Sequence, residues 1–135
     1  MAKKCYFDAM SRKTLHCVWC ETYLTPQNMA IDHLLPFSQT QNNNLWNLLP
    51  SCKKCNSNKS DSIPTPETIE RRKTRILACW QLEQTEHPDA FEQELRYDLI
   101  GFDEPAFVIE TSLQHLSKRC NFLIQERGYK SWHKN

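Results

Sequence analysis

In the second half of the chain the apolar residues recur at helical spacing; in the first half they do not. Ile109, Leu113, Leu116, Cys120 and Leu123 follow one another at intervals of four, three, four and three, an a/d seam two heptads long. It predicts a helix that begins at Asp103-Glu104-Pro105 and ends at Gly128. The seam suits packing within a helical bundle, with dimerisation or docking on a larger partner as the alternative. Upstream, Ile69, Ile76, Leu77 and Trp80 form a stripe behind Thr65-Pro66-Glu67. Those three residues read as a cap, a proline in the first turn and an acid at the positive end of the helix dipole. His87-Pro88-Asp89 reads as another start, with Phe91, Leu95 and Leu99 inward and Gly101 as the stop.

Before Ser60 the pattern changes to short strands and loops, as in Asn28–Ile31 and Leu48–Pro50, with a short helix after Cys52. Ser60-Asp61-Ser62-Ile63-Pro64-Thr65-Pro66, with two prolines among small polar residues, marks the boundary. Two units are therefore expected, residues 1–62 and 63–135.

Composition narrows the class. Two glycines in 135 residues disfavour Gly-rich phosphate loops and a tight β-sandwich. Charged residues of both signs, 24% of the chain, exclude disorder throughout. No apolar run is long enough for a bilayer, and Met-Ala-Lys-Lys-Cys lacks the apolar stretch of a signal peptide. A cytoplasmic location and no membrane partner are the expectation. The net charge of +1 conceals an asymmetry. Residues 1–60 carry seven Lys/Arg against three Asp/Glu, and residues 61–135 carry ten against thirteen. Only the first part suits a polyanion.

Seven cysteines in a reducing compartment point to metal ligation rather than disulfides. Cys17-Val18-Trp19-Cys20 and Cys52-Lys53-Lys54-Cys55 are two C-x-x-C knuckles. Each lets two thiolates from one tight turn reach the same ion, and two knuckles complete a tetrahedral site. Four thiolates leave no open position, so this Zn²⁺ is expected to be structural. Cys79 and Cys120 read as small core residues.

Between and after the knuckles lie Ile31-Asp32-His33-Leu34-Leu35-Pro36, Asn44-Leu45-Trp46-Asn47-Leu48-Leu49-Pro50 and Cys52-Lys53-Lys54-Cys55-Asn56-Ser57-Asn58-Lys59. Over roughly residues 17–64 this order resembles the zinc-containing HNH endonuclease family: C-x-x-C, Asp-His, Asn-Leu-x-Pro, then C-x-x-C followed by His or Asn, with Lys three residues on. Asn56 stands where many members have a final histidine.

The resemblance implies a ββα-metal fold, a hairpin crossed by one helix. It also implies catalytic roles. His33 is expected to be the general base, since imidazole takes a proton near neutrality. Asp32 and Asn56 are expected to hold a hard ion, Mg²⁺ or Mn²⁺. Asn47 is expected to brace the loop that orients His33, with Asn44 as the alternative. Lys59 shares a helix face with Asn56 and is expected to meet a phosphate. Lys53 and Lys54, and Arg71, Arg72 and Arg75, are candidate nucleic-acid contacts or solvated charges. The tail Tyr129–Lys134 suits either base stacking or a disordered end.

The expected fold class is α+β: a zinc-stapled finger followed by a helical region that positions substrate, dimerises or docks. The expected function is metal-dependent hydrolysis of phosphodiester bonds in DNA, with RNA not excluded, in a phage or bacterial-defence setting. The alternatives are an inactive zinc-finger binding module and a subunit of a larger effector.

Overall fold

The computed structural model describes residues 2–135. Two antiparallel strands, β1 (Met29–His33) and β2 (Leu48–Cys52), pair from Met29 opposite Cys52 to His33 opposite Leu48. The connection between them is long. It contains a helical turn, α2 (Phe37–Thr40), and a 3₁₀ turn, Leu45–Asn47. Helix α3 (Lys53–Lys59) follows β2 directly and packs across β1. A hairpin crossed by one helix is the architecture expected for this segment.

Helix α1 (Ala2–Arg12) was not anticipated in a region that reads as strands and loops. Its buried face is Ala2, Cys5, Tyr6 and Ala9. These are mostly small residues, so the stripe is faint in sequence although the spacing is helical. Tyr6 fixes the helix to the hairpin by donating its hydroxyl to the Leu48 carbonyl at 3.1 Å.

The helical region begins as its start signals predict. Helix α4 (Pro66–Glu86) has Thr65 as its N-cap, with the side chain accepting from the Thr68 N–H, and proline in the first turn. Ile69, Ile76 and Trp80 are fully buried. Helix α5 (Pro88–Leu95) runs into a π turn, Arg96–Ile100, which Gly101 ends at φ +83°. Only glycine takes that conformation without strain.

Helix α6 starts later than expected. It spans Ile109–Gln125, and residues 103–108 are not helical. No side chain caps its N-terminus, so Asp103-Glu104-Pro105 imitates a start signal without forming one. Gly128, at φ +71°, closes the other end, where the Tyr129 N–H bonds the Leu123 carbonyl. Ile109, Leu113, Leu116 and Cys120 are buried within the chain, chiefly between α6 and α4. The seam thus packs within the chain, against α4.

The tail also departs from expectation. Strand β3 (Ile63–Pro64) pairs in parallel with β4 (Ser131–Trp132). Trp132 is buried edge-on against Trp19, with ring centroids 5.2 Å apart, and its indole N–H donates to Asn58 at 3.0 Å. The tail is thus part of the fold rather than a free stacking arm. One buried cluster runs from Ala2 through the finger to Trp132. Among the described residues, no helix is long and apolar enough to cross a membrane.

Candidate functional site

The two ends of the β1–β2 hairpin carry different chemistry. At the Met29/Cys52 end, the Sγ atoms of Cys17, Cys20, Cys52 and Cys55 all lie within 4.8 Å of one another. A tetrahedral site with Zn–S bonds of about 2.3 Å requires sulfurs about 3.8 Å apart, and Cys20 and Cys52 are 3.7 Å apart. The Trp19 N–H points at the Cys17 sulfur and the Cys55 N–H at the Cys52 sulfur, each at 3.4 Å. Backbone N–H groups aimed at sulfur favour thiolates. Burial raises the Cys17 thiol to about 11 and pushes the Cys55 thiol up as well. Burial acts in the same sense on Cys20, but bonds from Thr22 and the neighbouring cysteines outweigh it and bring Cys20 down to about 6. The quartet is placed to hold a soft tetrahedral cation with no coordination position left over.

At the other end, β1 finishes with Asp32 and His33. Successive strand residues face opposite sides, and their exposure differs accordingly. Asp32 is 2% exposed, whereas His33 is half-buried. The His33 ring packs against Phe37 at 5.5 Å, and its Nε2 lies 2.7 Å from Asn43 Oδ1. With the amide oxygen as acceptor, Nε2 carries the proton and Nδ1 keeps a free lone pair.

Lys59 fixes the main chain of the same residue. Its ammonium is fully buried, donating to the His33 carbonyl at 2.7 Å and facing Asp32 Oδ1 at 3.4 Å. The other oxygen of Asp32 accepts from the Trp19 indole at 2.7 Å. Burial pushes the Asp32 carboxyl up and the Lys59 ammonium down, each opposed by the charge of the other.

Lys59 therefore does not stand where a phosphate would meet it. It ties α3 to the end of β1. Asp32 is enclosed, with Trp19 on one oxygen and Lys59 beside the other, rather than open to solvent as an isolated metal ligand would be. Asn56 is half-buried one turn before Lys59 on α3.

Asn47 is fully buried. Its oxygen accepts from the Leu35 N–H at 2.7 Å, and its amide donates to the carbonyls of Leu35 and Asn42 at 3.0 and 2.9 Å. It spans the connection from one side to the other. Asn44 instead donates to Asp98 at 2.7 Å.

The remaining basic candidates scatter. Lys53 and Lys54 are exposed at the start of α3, and Arg71 is exposed on α4. Arg72 donates to the Asn135 carbonyl at 2.7 Å, and Arg75 pairs with Glu21 at 3.3 Å. Those two are engaged within the chain. Asn43, Asp98 and the buried role of Lys59 escaped sequence reasoning. The Asn42-Asn43-Asn44 run was the one available signal, and in sequence it resembles any polar turn.

A family model described as HNH endonuclease matches residues 19–65. Over that segment, which is less than half of the chain, the protein is similar to the HNH endonuclease family. The match takes in the second cysteine of the first knuckle, the Asp32-His33 pair, Asn47, the second knuckle and Asn56. It stops where α4 is about to begin, so the HNH module is carried by the finger. No curated protein matches the chain. The family supports a nuclease-type activity on nucleic acid.

Proposed function

We propose that the protein is a metal-dependent endonuclease hydrolysing phosphodiester bonds of DNA, with His33 as the general base. One observation carries this reading: His33 is half-exposed at the open end of an HNH hairpin, held at Nε2 by Asn43 and at its carbonyl by Lys59. That leaves Nδ1 to take a proton from water as the oxygen attacks phosphorus. The P–O bond to the sugar breaks, and the departing oxygen is protonated. The family resemblance implies 5′-phosphate and 3′-hydroxyl products. Asn47 braces the connection that carries Asn43.

The cysteine quartet is proposed to hold structural Zn²⁺. A second, catalytic ion, Mg²⁺ or Mn²⁺, would be held by the amide oxygen of Asn56 and by Asp32, both hard oxygen donors. When bound, it supplies charge stabilisation at the phosphate. Lys59 competes with such an ion for Asp32. Lys53, Lys54 and Arg71 are proposed phosphate contacts. The helical region, residues 63–135, is proposed to support the finger.

Plasmid DNA incubated with the zinc-loaded protein and Mg²⁺ or Mn²⁺ tests this. Cleavage is expected, and His33→Ala should abolish it while leaving folding and zinc content intact. A His33→Ala protein that cuts at full rate would remove His33 as the base. The enclosed Asp32–Lys59 pair favours a second reading, a nucleic-acid-binding finger without catalysis. DNA binding with no cleavage by the wild type would establish that reading instead.

A further inference from the structure

We propose that Asp98 is a positioning residue for His33, acting through the loop Asn42–Asn44. The inference rests on the nuclease reading of His33 for its functional meaning. A single oxygen of Asp98, Oδ2, accepts from Asn42 Nδ2 at 2.9 Å, Asn44 Nδ2 at 2.7 Å and the Trp46 indole at 2.6 Å. Three donors on a carboxylate oxygen are charge-assisted bonds, about twice as strong as neutral ones. Nearby, Glu94 accepts from the Leu45 N–H at 3.2 Å. The loop is therefore gripped from the α5/π-turn side at residues 42, 44, 45 and 46.

The geometry explains why this bears on His33. Asn44 is extended, at φ −68° and ψ 154°. The Asn44 N–H closes back onto Asn42 Oδ1 at 2.8 Å, an Asx turn that holds the two flanking residues together around Asn43. With residues 42 and 44 both drawn to Asp98, the side chain between them, Asn43, is directed away. There it meets His33 Nε2 at 2.7 Å.

Asp98 is itself held by an unusual piece of backbone. It sits in the π turn Arg96–Ile100, where the Gly101 N–H reaches the Arg96 carbonyl at 2.7 Å. Buried Arg96 anchors that turn to Glu92 at 2.9 Å and to the Glu104 carbonyl at 2.7 Å. Single π turns of this kind are concentrated at functional positions. Here the turn carries a carboxylate from outside the HNH segment onto the loop that orients the candidate base.

The test uses the full zinc-loaded chain with Asp98→Ala, Asn43→Ala and the double variant. Two quantities are read: plasmid cleavage, and the ¹⁵N signals of the His33 ring. Asp98→Ala and Asn43→Ala should each lower kcat roughly ten- to a hundredfold, with KM little changed, as a misplaced catalytic group does. The double variant should be no slower than the slower single, because both act on one path. In the wild type the ring should be protonated at Nε2, and both variants should shift it toward a mixture of tautomers. A folded Asp98→Ala protein with unchanged His33 ring signals would overturn the proposal, as would losses that multiply in the double variant. Asp98→Asn keeps the shape and one acceptor oxygen. It should give the same ring shift at smaller amplitude if Asp98→Ala does not fold, and an unchanged ring then counts against the proposal. Absence of cleavage by the wild type would defeat the nuclease reading, while the ring signals still decide the role of Asp98.

Discussion

The two ends of one hairpin solve opposite problems. Where Met29 faces Cys52, four sulfurs converge to within 4.8 Å of one another, enough donors to complete a tetrahedral site. Where His33 faces Leu48, the strand ends on a half-exposed ring with one nitrogen held and the other free. The closed end is built from two local turns. The open end needs contributions from three other places: Lys59 on α3, Asn43 in the connection, and Asp98 beyond α5. A structural site can be completed by its own ligands. A site that must stay accessible is supported from behind, because its front is left for substrate.

The largest expected effect lies at the closed end. Removing zinc with a chelator, or Cys55→Ser, should unfold the finger. Metal binding supplies about 10–16 kcal/mol in small zinc modules. Circular dichroism and a tryptophan-fluorescence melt check it. A finger that keeps its melting transition without metal would mean that the helical layer, not the ion, holds the hairpin.

Next comes the buried pair behind the open end. Lys59→Ala leaves the Asp32 carboxylate enclosed and without a counter-charge, which costs about 3–5 kcal/mol. Urea unfolding at pH 7 measures it. A loss below about 1 kcal/mol would mean that Asp32 is already neutral in the folded protein.

The third effect separates metal-bound thiols from core thiols. Burial holds Cys5, Cys79 and Cys120 up at about 12, against 9.0 for a free thiol. Below pH 9 these groups are protonated in both states and shift nothing. Between pH 9 and 12 the unfolded chain releases protons that the folded chain retains, so stability falls as pH rises. Each thiol contributes up to about 1.4 kcal/mol per pH unit. Cys120→Ala should flatten the alkaline slope. Metal-bound thiolates have lost their protons already and should add nothing to it.

The smallest stability effect is expected at the open end itself. His33→Ala should move the folding free energy by only about 0.5 kcal/mol, yet lower cleavage by about 10²–10⁴-fold. A large loss of stability would place His33 in the structure rather than in the chemistry.

Legibility in the sequence followed the range over which each signal acts. The knuckles and the Thr65-Pro66-Glu67 cap are local, and they form as their spacing predicts. Helix α1 was missed because its buried face is mostly small residues. The start of α6 was misplaced because acids before a proline imitate a cap without supplying one. Lys59 shares its sequence position with the lysine expected to meet a phosphate. Burial alone separates the two roles, and burial depends on what α3 crosses.

The sequence by itself determined the identity of the chemistry: four thiols for a closed ion site, an HNH-type order of Asp32, His33, Asn47 and Asn56, and a helical layer behind them. Only the tertiary structure decided which groups face inward. Lys59 reaches Asp32 across 27 positions, Asn42 reaches Asp98 across 56, and Trp132 reaches Asn58 across 74. The physical reason is one of range. Turn reach and helical period are set by bonds a few residues apart. A carboxylate or ammonium takes its role from the groups that exclude water around it, and packing brings those together from distant parts of the chain.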